Sequence, residues 1–135
     1  MLRLADFSGR WRFTRRIEGQ GNAPGRLFDG IAEFRPAAGG LIYREAGEAR
    51  LGGRAAQLLW RAGDRQGESG VDLCFADGSD FHHLDLRTPV ATAWHQAGAS
   101  RHELSYNFTR WPQWRAIWRL RDAASDTTML TDYRR

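Results

Sequence analysis

The sequence predicts an all-β fold, a single antiparallel up-and-down barrel of about ten short strands. Three observations carry that expectation. Apolar residues recur with a period of two rather than three to four, and no long helical stripe interrupts them. The segments are short and separated by glycine-, proline- and Asx-containing turns. The implied inner face mixes large aromatics with polar groups, whereas a sandwich core would be more uniformly aliphatic.

Residues 7–18 alternate, with Trp11, Phe13, Arg15 and Ile17 on one face and Arg10, Arg12, Thr14 and Arg16 on the other. That pattern defines a half-buried first strand. G-Q-G-N-A-P-G at 19–25 is a loop by composition. The second strand, 26–35, aligns Phe28, Gly30, Ala32 and Phe34, and P-A-A-G-G turns the chain. In the third, 41–50, Tyr43 and Glu45 share a face. The fourth, 54–61, aligns Ala56, Leu58 and Trp60, and the fifth, 71–75, aligns Val71, Leu73 and Phe75. A-D-G-S at 76–79 is a hairpin turn signal, leading to a strand over 79–86. Strands over 90–95, 101–109, 114–121 and 127–134 complete the chain. The seventh carries His95; the eighth aligns His102, Leu104, Tyr106 and Phe108, and the ninth aligns Trp114, Ala116, Trp118 and Leu120. T-R-W-P-Q-W at 109–114 is expected to turn the chain and cap the core at one barrel end. There is no internal repeat or composition break, so residues 1–135 read as one domain.

Composition bounds the function. The chain has 135 residues, 41% of them hydrophobic, enough for one core without metals or disulfides. One cysteine, Cys74, excludes an internal disulfide and suits a reducing compartment. With no secretory or membrane-spanning apolar run, the expected setting is cytoplasmic, without a membrane partner. Net charge is +4, and all 20 basic residues are arginine. They are interleaved with 16 acids rather than gathered in a patch, so no nucleic-acid partner is expected.

Gly9-Arg10-Trp11 on the first strand, with arginine on the last, resembles the lipocalin and calycin pattern. That resemblance implies Gly9 and Trp11 at the closed end of the barrel, with Arg134, or its neighbour Arg135, covering the tryptophan. In order, F-S-G-R-W-R-F-T-R, G-I-A-E-F, Y-R-E-A-G, F-H-H-L, H-Q-A and T-D-Y-R-R resemble an uncharacterised bacterial lipocalin-like domain family of unknown function, over residues 7–135. The resemblance implies a calycin barrel and no established activity. The chain departs from that family's pattern at three places. His95-Gln96-Ala97 stands where His-x-Cys is usual, Ser100-Arg101-His102 where Asp-x-Tyr is usual, and D-A-A-S-D-T (122–127) where a G-P-R-K-D-Y-like stretch is usual.

The expected function is binding of a small, partly apolar ligand with a polar or anionic head inside the barrel. Its polar lining would be Arg15, Tyr43, Glu45, His82, His95 and Tyr106, with Trp60 and Trp118 as walls. Arg15 and Glu45 either pair internally, because a buried charge needs a partner, or open to hold a carboxylate through bidentate arginine. The latter logic resembles that of fatty-acid-binding barrels. His82 shares a face with Leu84 and Leu86, while His83 points away. An inward His82–His95 pair could hold a metal or a polar ligand head, the alternative being an ordinary hydrogen-bonded barrel histidine. No third ligand stands at metal spacing, so no metal is expected. Nor is any cofactor, although some ten-stranded nitrobindin-like calycin barrels hold haem through a late histidine, a role His95 or His102 could take. Cys74 should face away from the cavity. Nothing matches a Ser-His-Asp order, a carboxylate dyad or a phosphate-cradling loop, so no catalytic residue is assigned. A small-molecule enzyme or a protein-interaction domain in the same barrel are the further alternatives. The protein is expected as a monomer or homodimer, the latter favoured by an exposed apolar face at Leu27 and Ile31.

Overall fold

The computed structural model describes residues 2–19, 25–63 and 70–135. Ten antiparallel strands follow in chain order: β1 (Gly9–Glu18), β2 (Arg26–Ala37), β3 (Gly40–Gly47), β4 (Gln57–Ala62), β5 (Gly70–Phe75), β6 (Asp80–Asp85), β7 (Val90–Ala97), β8 (Ser100–Arg110), β9 (Gln113–Arg121) and β10 (Asp126–Arg134). They form one sheet in the order β6-β5-β4-β3-β2-β1-β10-β9-β8-β7. Except for β6 and β7, strands adjacent in sequence pair as neighbours, and β1 pairs with β10. The end strands β6 and β7 lie beside one another without a hydrogen-bonded ladder. The result is an up-and-down barrel, closed except for that seam, as the period-two pattern predicts.

The strand directions give the barrel two distinct ends. At the lower end lie a 3-10 turn over Leu4–Phe7, the β8–β9 turn and the chain terminus. At the upper end lie the segment between β3 and β4 and the turns joining β5–β6, β7–β8 and β9–β10. Of the loop expected over 19–25, residues 20–24 lie outside the described residues.

Two departures from the expected strands bear on the barrel interior. The fourth strand begins at Gln57, because Gly53–Ala56 form a 3-10 turn that Gly53 opens with φ +57°. In β6 the register slips, so that Leu73 faces His82 while Cys74 faces Asp80. The slip leaves Phe81 as an extra residue, and both Phe81 and His82 are buried. Strict alternation would have turned Phe81 outward; a β-bulge re-aims it.

The core is dominated by aromatics that each remove a large area from water. Phe7, Trp11, Phe34, Trp60, Phe108 and Trp114 fill the lower half, with Trp111 packed against them. Trp114 stacks on Tyr133 at 3.8 Å between ring centroids. This confirms T-R-W-P-Q-W as the cap of the lower end, turned through a cis Trp111–Pro112 bond. Small residues make room for these rings. A Cβ at Gly30 would collide with the Phe13 ring, and one at Gly40 with the Trp60 carbonyl. Cys74 is buried on the face opposite Leu73, and burial pushes its thiol pKa up. Among the described residues no helix is long and apolar enough to cross a membrane.

Candidate functional site

The expected ligand lining separates into three groups at different heights. Trp11 defines the lowest. Its indole Nε1 donates to the Phe7 carbonyl at 2.8 Å. Arg135, not Arg134, covers its ring, with the guanidinium carbon 3.9 Å from the centroid. Arg135 also donates to the carbonyls of Ser8 (3.1 Å) and Asp6 (2.8 Å). Gly9 takes φ +108°, and a Cβ there would lie 3.2 Å from the Arg135 guanidinium. The positive φ favours glycine, and any side chain there would also press on the Arg135 guanidinium. Arg134 is one position off. Successive strand residues face opposite sides, so Arg134 projects outward and donates to Thr14 Oγ1 at 3.1 Å. Arg135→Ala should destabilise the fold by about 1 kcal/mol, the worth of one exposed cation–π contact plus its weak hydrogen bonds. Arg134→Ala should cost less than half of that by denaturant titration.

The second group is Arg15, Tyr43 and Glu45, joined by two residues that period-two reading of the sequence did not single out, Thr131 and Tyr133. Arg15 makes two parallel hydrogen bonds to Glu45, at 2.7 and 2.6 Å. It donates further to the Ala49 carbonyl (2.7 Å) and to Thr131 Oγ1 (2.9 Å). Tyr43 donates to Glu45, and its hydroxyl lies 2.8 Å from that of Tyr133. The Leu51 amide closes the set on Glu45 at 2.8 Å. The two charged side chains are 1% and 2% exposed. Burial alone would lower the Arg15 pKa, but the Glu45 bonds and charge, with the two tyrosines, carry it above its ordinary value. Burial first, and the neighbouring acidic groups second, push Tyr43 and Tyr133 up. Of the two readings of Arg15 and Glu45, the geometry is that of the internal pair. The segment after β3 lies over it through Ala49 and Leu51, and the carboxylate that Arg15 holds is the protein's own. The register Phe13↔Tyr133 and Arg15↔Thr131 was the signal that could have found the missing members.

The third group fills the upper barrel. Tyr106 Oη lies 2.9 Å from His82 Nε2 and accepts from Trp118 Nε1 at 3.1 Å. Trp118 thus spends its N–H on the wall, and Tyr106 has its own proton left to donate to His82. That fixes the proton of a neutral His82 on Nδ1, which is buried and has no partner among the described residues. Burial, then the nearby charges of His95, His102 and His83, lowers the His82 pKa to about 3. His83, as expected, lies on the other face and bonds Asp72 at 2.5 Å.

His95 and His102 face one another across β7 and β8, ring centroids 5.9 Å apart. Both are half-buried near the upper end. His102 Nδ1 is buried and has no partner among the described residues, and burial followed by the His95 charge lowers its pKa. Phe81 is the centre of the group. Its ring lies 4.4 Å from His82 and 5.4 Å from each of His95, His102 and Trp118, and it stacks on Phe75 at 4.8 Å. The expected His82–His95 pair does not form, because Phe81 packs against both. Phe81 also lies beside His95 and His102, in the space that a haem held by either would take. Among the described residues no three His, Cys, Asp or Glu side chains could together hold a metal ion. Trp60 lies away from this group, in the lower aromatic core, where its indole N–H and that of Trp114 are surrounded by rings and have no partner among the described residues.

Known proteins add a fold relationship and a family. A solved structure from Nostoc punctiforme, a protein with unknown function from the DUF3598 family, is similar over all of this chain, with a TM-score of 0.71 and 13% identity. The chain spans 49% of that protein's length, and at this identity the likeness is one of fold. No curated protein matches the sequence. Residues 7–135 match a family model described as a family of unknown function, DUF6314, and with that span nearly the whole barrel is accounted for: the chain belongs to the DUF6314 family.

Proposed function

We propose that the protein is a calycin-like carrier that takes a small, largely apolar molecule bearing a neutral hydrogen-bond acceptor into the upper barrel. The observation that carries this reading is the pair of buried, unpartnered imidazole nitrogens, His82 Nδ1 and His102 Nδ1, inside an aromatic enclosure. A buried polar atom without a partner costs free energy comparable to a lost hydrogen bond. A ligand carbonyl or hydroxyl on His82 Nδ1–H would recover it. The head is neutral in this reading rather than anionic, because Arg15 is committed to Glu45 and His82 is held uncharged by burial. The body would pack on Phe75, Phe81 and Trp118. Phe81 occupies the middle of this space and lies at the β6–β7 seam, so entry of the ligand requires its ring to swing aside. No reaction is proposed. One reduced cysteine and the absence of disulfides suit a reducing, cytoplasmic setting.

The test uses 1-aminoanthracene, a neutral fluorescent aromatic, as the probe. Phe81→Leu should enlarge the upper space at a cost of about 1–2 kcal/mol in stability. Probe binding is expected at one site per chain, tighter in Phe81→Leu by about fivefold, or roughly 1 kcal/mol. Leu104→Trp, which fills the same space from β8, should abolish it. Absence of binding to both wild type and Phe81→Leu would identify a filled, structural core instead.

A further inference from the structure

The outer wall of β8–β10 carries a feature independent of the barrel interior. Trp111 and Trp114 turn inward to cap the lower end, and alternation then drives Arg110, Gln113 and Arg115 outward. The β8–β9 register slips between Asn107 and Arg110. A bulge of this kind bends the strand, and here it accompanies an external cleft of about 500 Å³. Its walls include Asn107, Arg110, Gln113, Arg115, Asp132 and Arg134.

The cleft is rich in donors and poor in acceptors. Its one carboxylate, Asp132, already has both oxygens engaged by Arg115, at 2.7 and 3.1 Å. Arg110 has no carboxylate partner among the described residues. Arg134 donates to Thr14 and has no carboxylate partner among the described residues. Arg12 stands directly opposite Arg134 across the β1–β10 ladder, and like charges in that position repel. Asn107 spends its oxygen on the backbone and side chain of Thr109, at 2.9 and 2.7 Å, so its amide N–H groups are left to donate. Two guanidinium groups without a carboxylate partner among the described residues, Arg110 and Arg134, therefore border a concave surface that also presents the amides of Asn107 and Gln113, and Arg12 adds a third positive charge across the ladder from Arg134.

The geometry points to a binding site for a phosphorylated small molecule on this outer wall. A phosphate oxyanion accepts several N–H bonds at once and matches the planar fork of arginine. It would also neutralise the Arg12–Arg134 repulsion. The cleft is larger than a bare phosphate needs, which leaves room for a polar body against Asn107 and Gln113.

Inorganic pyrophosphate is the probe, followed by calorimetry and by the side-chain amide signals of Asn107 and Gln113 in nitrogen–proton NMR spectra. Saturable binding at one site per chain is expected, with both amide signals shifting. The Arg110→Gln/Arg134→Gln double variant should weaken binding at least about tenfold, the scale of losing one or two charge-assisted bonds. Arg16→Gln, on the same outer face of β1 but at the upper end, should leave it within about twofold. Three results would overturn the assignment: no saturable shift at millimolar pyrophosphate, equal weakening by Arg16→Gln, or a single-stranded oligonucleotide binding through Arg110 and Arg134 far more tightly than pyrophosphate. Because none of these residues reaches the barrel interior, the outcome is independent of 1-aminoanthracene binding.

Discussion

Arg15→Met is expected to destabilise the protein by about 3–5 kcal/mol, the usual cost of removing one partner from a buried ion pair. The loss comes from what remains behind. Glu45 would stay enclosed under the Ala49–Leu51 segment with only Tyr43 and the Leu51 amide as donors. Thr131 Oγ1 and the Ala49 carbonyl would lose their donor as well. Replacing both members, as Arg15→Met/Glu45→Met, should recover much of the loss, because exchange of a complete buried pair for apolar groups is often near neutral. The urea midpoints of wild type, both single variants and the double variant form a cycle that isolates the coupling. A cost below about 1 kcal/mol for Arg15→Met would mean that the pair is open to solvent or exchanges with a ligand carboxylate.

How far the sequence reveals this molecule depends on the range of the interaction. Strand alternation is local, so ten strands and their inward faces were legible, Trp11, Phe13 and Arg15 among them. The bottom closure was legible through the resemblance of Gly9-Arg10-Trp11 to the calycin pattern, a motif short enough to be read locally. The choice between Arg134 and Arg135 was not, since it depends on where β10 ends relative to the barrel rim. Phe81 was missed for a definite physical reason. A bulge breaks the period of two on which the reading rests, and nothing in F-H-H-L states that the register slips at Leu73. The split of the polar lining into two networks was also invisible. It is decided by cross-strand neighbours such as Arg15 and Thr131, 116 residues apart, and by the segment after β3 that seals Glu45.

The acid response of the fold should be dominated by His82. Its folded-state pKa is about 3 against 6.5 for an unperturbed histidine, with burial the main cause. Between those values the unfolded chain binds a proton that the folded chain refuses. Stability is therefore unaffected above about pH 6.5 and falls as pH drops toward 3. At about pH 4.5 the loss from this one group is about 3 kcal/mol, at roughly 1.4 kcal/mol per pH unit. His102, shifted in the same direction, adds to it. His82→Phe keeps the ring volume and the contacts with Phe81 and Tyr106 while removing the titration. It should lose about 1 kcal/mol at neutral pH, from the Tyr106 hydrogen bond. Between about pH 7 and 4.5 its stability should then drop by roughly 3 kcal/mol less than wild type. Parallel decline of the two proteins would show that His82 is charged or solvated in the folded state. That result would also remove the neutral Nδ1–H on which the proposed ligand contact depends. If instead the wild type is the more acid-sensitive of the two, His82 is neutral in the folded protein and its Nδ1–H stays available to a ligand acceptor wherever the protein is folded.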